Sequence, residues 1–166
     1  MRKKLALIAM MTAGLLAQNN ATTAPFADTI QKLNVKAPLT DPAYNMPIDM
    51  HSKLLCEATL TNGKTAYFIS PKAAMMVYLH QDYFLKRKLL EDEITTLYVR
   101  DYLSGKTIEA SKAVYVFGSR IIGPHGDDLI PLSSEERAKL FELKYGGTKI
   151  LPYTRIDQGL IRYLDM

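Results

Sequence analysis

The chain has 166 residues, room for about one domain, and its 48% hydrophobic and 23% charged residues are ordinary for a folded protein. That composition excludes a chain disordered throughout. The formal net charge of +4 belongs mostly to the first four residues. Residues 1–17 hold Arg2, Lys3 and Lys4 and no acid, so the remainder carries 18 basic against 17 acidic residues, a net charge of +1. A nearly neutral domain lacks the electrostatic footprint of a nucleic-acid binder or of a protein held on an anionic membrane.

The first element is a basic "MRKK" followed by the apolar "LALIAMMTAGLLA". That run is too short to span a bilayer and reads as a cleaved secretory signal over residues 1–17, with Leu15 and Ala17 in the recognition positions. The expected location is the periplasm. No cysteine follows the apolar run, so no stable membrane anchor is expected after cleavage. Residues 18–40 are small and polar with two prolines and read as a flexible arm. The domain is expected over residues 41–166. It opens with an irregular stretch, "DPAYNMPIDMH", pinned by Pro42 and Pro47.

The ordered part begins near Lys53. "LLCEATL" is a strand candidate, and Asn62-Gly63 predicts a two-residue hairpin turn into "TAYFI". Ser70 before Pro71 predicts a helix start, with Ala73, Met76, Val77 and His80 recurring at helical spacing. "QDYFLKRKLLEDE" extends or follows that helix, and "ITTLYVRDY" is a third strand. The pattern then returns. "AVYVFGS" is a strand, "RIIGPHGD" a loop, and "DLIPLS" a strand. Ser133 and Glu136 read as a capping box for "ERAKLFELKYGG", whose buried side is expected from Ala138, Phe141 and Leu143 to Tyr145. Gly146-Gly147 stops the helix and "TKILPYTRI" is the last strand.

The order is thus ββαβ followed by ββαβ, in halves of about 53–102 and 108–157. The strand–Ser–helix junctions "YFISPKAA" and "IPLSSEER" correspond at an offset of about 63 residues, a repeat of pattern rather than of letters. A hairpin cannot bury its faces alone, so each half needs its helix, and the two can share a core. The fold class expected is α+β, two pseudo-repeated ββαβ units with mainly antiparallel strands.

Four stretches fall in a familiar order. "VRDY" at 99–102, "IEASKAVYVFGS" at 108–119, "GPHGDDLIPL" at 123–132 and "KYGG" at 144–147 resemble, with "ATLTNGKTAYFISPKAAM" upstream, the NosL-like family of nitrous-oxide-reductase accessory proteins. The resemblance covers roughly residues 41–157. It implies an exported copper-binding protein that delivers Cu(I) for assembly of the copper centres of nitrous oxide reductase. It also implies a copper transporter or recipient copper enzyme as partner, and a fold of two similar ββαβ units. The family's Cys-x-x-Cys-Gly-Met motif is replaced here by "NMPIDMH", and its Gly-Pro-Met-Gly reads Gly-Pro-His-Gly. The sequence thus resembles a divergent member, altered in the site itself.

Cu(I) favours soft thioether and thiolate donors and accepts imidazole. Thioethers need no deprotonation and cannot be lost to disulfides. Met46, Met50 and His125 are therefore the candidate metal ligands, with His51 as an alternative nitrogen donor. Each has a plainer reading. The methionines flank a proline and could cover a hydrophobic edge, and a loop histidine between glycines could be solvated. Met75 and Met76 read as core, His80 as the end of its helix, and Cys56 as a small buried residue. The lone cysteine excludes an intramolecular disulfide and any Cys-x-x-Cys site.

Two other function classes compete. An enzyme would use Asp127 or Asp128 with His125, but no nucleophile motif or phosphate loop accompanies them. No enzymatic activity is expected. A non-metal adaptor would keep the scaffold and dock to another periplasmic component through "LKRKLLEDE", Tyr98 and Tyr102.

Overall fold

In the first half, β1 (Cys56–Leu60) turns into β2 (Thr65–Phe68) through the four residues 61–64 rather than two. Only Gly63 takes a positive φ, at 78°, while the Asn62 carboxamide accepts the Lys64 amide at 2.9 Å. Leu60 closes both ends of the loop, with its amide on the Lys64 carbonyl and its carbonyl on the Gly63 amide, each at 2.9 Å. A type I turn with one left-handed glycine satisfies the same sequence signal as the expected two-residue turn. The structure, a computed structural model, describes residues 39–166. The predicted leader (1–17) and nearly all of the predicted arm (18–40) lie outside the described residues.

β1 sits between β2 and β3 (Ile94–Arg100), and β4 (Thr107–Glu109) extends the sheet beyond β3, all antiparallel. Cys56, Ala58 and Leu60 alternate into the core from β1, as the period of a half-buried strand requires. α1 (Pro71–Leu79) begins where predicted. Ser70 is its N-cap, accepting the Ala73 amide, and Pro71 stands in the first turn. His80 ends α1, and the short α2 (Gln81–Lys86) follows.

In the second half, β5 (Val114–Phe117) lies between β8 (Ile130–Leu132) and β9 (Lys149–Pro152), again antiparallel. The predicted loop between β5 and β8 contains a two-stranded ribbon, β6 (Ile122–Gly123) and β7 (Gly126–Asp127), with Pro124 and His125 at its tip. α3 (Glu135–Tyr145) is capped by Ser134, not by Ser133 as expected from the capping box. Ser133 is drawn away by Asp101, which accepts its amide at 2.8 Å and its hydroxyl at 2.7 Å. Ala138 and Phe141 are buried, but Leu143 points outward at 84% exposure, because it is off the 3.6-residue stripe they define. The chain then adds α4 (Gln158–Leu164), an unpredicted helix that packs against α1. The chemical signal was present: Asp157 accepts the Leu160 amide as N-cap, and Ile161 and Leu164 are buried.

The halves share one core. Phe68, Val77, Leu97 and Val99 from the first meet Tyr115, Leu129, Ile161 and Leu164 from the second. Side chains buried to this degree contribute about 2 kcal/mol each. A smaller cluster under α3 contains Leu54, Val116, Ile130, Leu132 and Phe141. β5 is thus buried on both faces, with Tyr115 on one side and Val116 on the other. The Tyr115 hydroxyl donates to the Ala110 carbonyl at 2.9 Å.

A repeat invisible as letters lies before each pair of strands. Asp41 and Asp101 are both buried, and each folds a six-residue turn. The Asp41 amide donates to Met46 and the Asn45 amide to Asp41. The Asp101 amide donates to Lys106 and the Gly105 amide to Asp101. Asn45 and Gly105 both take positive φ, 54° and 72°. One carboxylate oxygen caps the turn, accepting from Ala43 and Tyr44 in one case and from Leu103 and Ser104 in the other. The second oxygen reaches the strand–helix junction, at the Ile69 amide or the Ser133 amide.

Candidate metal centre

The ribbon that carries His125 is shaped by its glycines. A Cβ on Gly123 would lie 2.6 Å from Asp128 Oδ2, so only glycine allows that approach, and Gly126 takes a φ of +83°. Asp128 anchors the ribbon to α1. Its Oδ1 accepts the amides of Lys72 and Leu129, each at 2.8 Å. A carboxylate at the N-terminus of α1 is favourably placed against the helix dipole. Its Oδ2 is buried with no hydrogen-bond partner. Burial pushes the Asp128 carboxyl up to about 6, against the opposing pull of Ser70, the two amides and Lys72.

Lys72 is wholly buried in the first turn of α1. Its ammonium donates to the His125 carbonyl and, at 3.0 Å, to the Leu164 carbonyl. It stands 3.6 Å from Asp165 Oδ1 and 5.6 Å from the centre of the Tyr44 ring. A buried cation is tolerated only when its protons are so occupied.

The imidazole of His125 is half-exposed, at 48% of its side-chain surface. The Tyr44 ring stacks on it, with centroids 3.9 Å apart and planes 16° from parallel. The Tyr44 hydroxyl donates to Asp165 Oδ1 at 2.7 Å. Burial and the neighbouring Asp165 carboxylate raise the Tyr44 phenol, so it stays protonated and remains a donor. The same Oδ1 lies 3.6 Å from His125 Nδ1, beyond hydrogen-bond distance. Tyr44 and Asp165 thus fix the ring from one face and one edge.

The predicted ligands are distributed as follows. His125 stands at the ribbon tip. Met46 is half-buried against the main core, and its carbonyl accepts the Asp41 amide at 2.8 Å. Met50 is 42% exposed, and its carbonyl accepts Arg100 Nη1 at 3.0 Å. The residue that the N-terminal segment lays on the imidazole is Tyr44, two positions before Met46. His51 is exposed, with its amide on Asp49. Cys56 is buried in β1, where its thiol donates to the Leu54 carbonyl and burial pushes it well up, so no thiolate is available there. Met75 is core, and His80 ends α1, both as read from sequence. Tyr102 packs edge-on against Phe141 and Tyr145 rather than forming an open contact face.

Among the described residues, no three His, Cys, Asp or Glu side chains gather as a metal site. Sequence reasoning missed Tyr44, Lys72 and Asp165 as the frame of the site, and weighed Asp128 only as an acid–base partner or orienting carboxylate for His125. Lys72 carried one signal: a lysine on the first turn of a helix, where a cation is disfavoured unless an acid meets it.

Comparison with known proteins agrees with the architecture. No curated protein matches the chain. A crystal structure described as the copper chaperone NosL from Shewanella denitrificans superposes with a TM-score of 0.56 at 21% identity, covering 70% of this chain and 88% of that one. The solution structure of apo-NosL from Achromobacter cycloclastes is 22% identical, covers 64% of this chain and 87% of that one, and gives a TM-score of 0.40. The first of these shows the shared fold. The NosL family profile matches residues 33–161, most of the chain. The chain belongs to the NosL family.

Proposed function

We propose that this protein is an exported, periplasmic copper-binding accessory protein that carries Cu(I) and passes it to a copper transporter or a recipient copper enzyme, of which nitrous oxide reductase is the family's example. The N-terminal signal-like segment supports export, and the family supports copper. Copper is cargo here rather than a resident cofactor, and no catalytic step is assigned. The observation that carries the reading is the seating of His125: a half-exposed imidazole held by Tyr44 and Asp165 at the position where the family's motif has methionine. The proposed donors are His125 with Met46 and Met50, from a segment that Tyr44 fastens to the ribbon. About two or three such donors satisfy Cu(I).

The test is anaerobic competition for Cu(I) against a chromophoric chelator, using the secreted form of the protein. We expect about one Cu(I) per chain. His125→Ala and the double change Met46→Leu with Met50→Leu should each weaken binding by about tenfold or more. Cys56→Ser should leave affinity unchanged, since that thiol is sealed in β1. Affinity should also fall on acidification, because a protonated imidazole has no lone pair to give. A wild-type protein that fails to bind Cu(I) would overturn the reading in favour of a non-metal adaptor.

A further inference from the structure

A cleft of about 440 Å³ opens between the β6–β7 ribbon and the end of α4. Its floor is Lys72, one wall is His125 and Asp127, and the other is Tyr163, Asp165 and Met166. Met166 is 94% exposed. Its thioether is thus not committed to the core, unlike that of Met75, which is 1% exposed. Met166 and the half-exposed imidazole of His125 line the same cavity.

We infer that Met166 supplies a thioether to the copper ion bound by His125, so that the cleft between ribbon and α4 is the metal seat. This rests on the copper-carrying reading above and amends its donor set: neither Met46 nor Met50 lines the cleft, so Met166 stands in for one of them beside His125. The chemistry sorts the lining residues. Imidazole nitrogen and thioether sulfur are donors Cu(I) accepts, whereas carboxylate oxygen is a poor one. Asp165 therefore serves as a positioning residue: it accepts the hydroxyl of Tyr44, the ring that stacks on the imidazole, and its carboxylate lies 3.6 Å from the Nδ1 edge. Lys72 does not repel the ion as a free charge would. Its ammonium is spent on the carbonyls of His125 and Leu164 and on the nearby Asp165 carboxylate. Tyr44 covers one face of the imidazole, which directs approach to the cleft.

The experiment pairs Cu(I) competition with X-ray absorption at the copper edge, on the secreted form of the protein and on Met166→Leu. The variant keeps the apolar bulk at an exposed position, so circular dichroism should match wild type. We expect Met166→Leu to lose about tenfold in Cu(I) affinity and to lose a sulfur scatterer from the copper shell while keeping nitrogen. Asp165→Asn should weaken Cu(I) binding and change its pH profile, which a merely structural role for Asp165 would not do. Wild-type binding with Met166→Leu unchanged in affinity and sulfur count would overturn the assignment of Met166 and leave copper carriage standing. Absence of Cu(I) binding by wild type would overturn both.

Discussion

The turns built on Asp41 and Asp101 have the same backbone and different electrostatics. Both aspartates are buried, both cap their own turn, and both reach a strand–helix junction. Asp101 also meets Arg137, with Nε at 2.9 Å and Nη2 at 3.1 Å. Burial pushes its carboxyl up, but Arg137, Ser133 and the amides outweigh that and hold it well below the usual carboxylate range. Asp41 has the amides alone. Burial dominates and raises its carboxyl, eased by the amides of Tyr44, Ile69 and Ala43 and, more remotely, by His125. One half of the repeat is neutralised by a cation of its own helix. The other leaves a buried acid on the side of the molecule where His125 and Lys72 stand. A duplicated device has become a structural pin in one place and part of a charged site in the other.

The sharpest way to break the comparison is to delete the pins. Asp101→Ala leaves several buried donors unsatisfied and takes the partner from the 36% exposed Arg137 side chain, so urea unfolding should show a loss of about 3 kcal/mol. Asp41→Ala should cost less, about 1–3 kcal/mol, because no cation is abandoned. Equal losses would mean that Arg137 adds nothing to the second turn.

The next effect is on pH. A depressed carboxyl such as Asp101 contributes stability that is complete above its unfolded value and lost as pH falls through the folded one. A raised carboxyl does the reverse. Asp128 moves from 3.8 to about 6, so the folded state holds the proton longer than the unfolded state. Stability should fall as pH rises from about 4 to 6 on account of this group. Asp128→Asn keeps an acceptor for the Lys72 and Leu129 amides and removes the titration. Unfolding free energies measured across that window should therefore flatten in the variant, whereas Asp101→Asn should remove stability that wild type loses only in acid. Parallel curves for wild type and Asp128→Asn would contradict the burial argument.

The smallest expected effect separates the two left-handed positions. Gly105 has open space around a built Cβ, so Gly105→Ala tests backbone strain alone and should cost about 1 kcal/mol. Asn45→Gly should be nearly neutral, since asparagine already tolerates that φ. A large loss from Asn45→Gly would show that its side chain, not its backbone, matters.

Much of the scaffold was legible before the structure. Ser70-Pro71, the alternation in β1 and the Asn-Gly turn each encode a local rule, and local rules read well from letters. The Ser133/Ser134 choice was not legible, because two adjacent serines offer the same cap and a distant aspartate decides between them. α4 went unread because its single Gly159 weakens a seven-residue pattern. The site was half legible. His125 stood out between glycines, but Tyr44, Lys72 and Asp165 come together from three elements across more than 120 residues. No spacing rule links them.

The ammonium of Lys72 grips the carbonyl at the ribbon tip and the carbonyl at the end of α4 at once. Like a rivet through two plates, it fixes the gap between them. The main chain on either side is therefore not free to gape or clamp shut, and admission or release of a guest falls to rotations of the side chains at the rim. Such rotations are fast, on a picosecond-to-nanosecond scale at exposed positions, as the proposed hand-over of a bound ion requires.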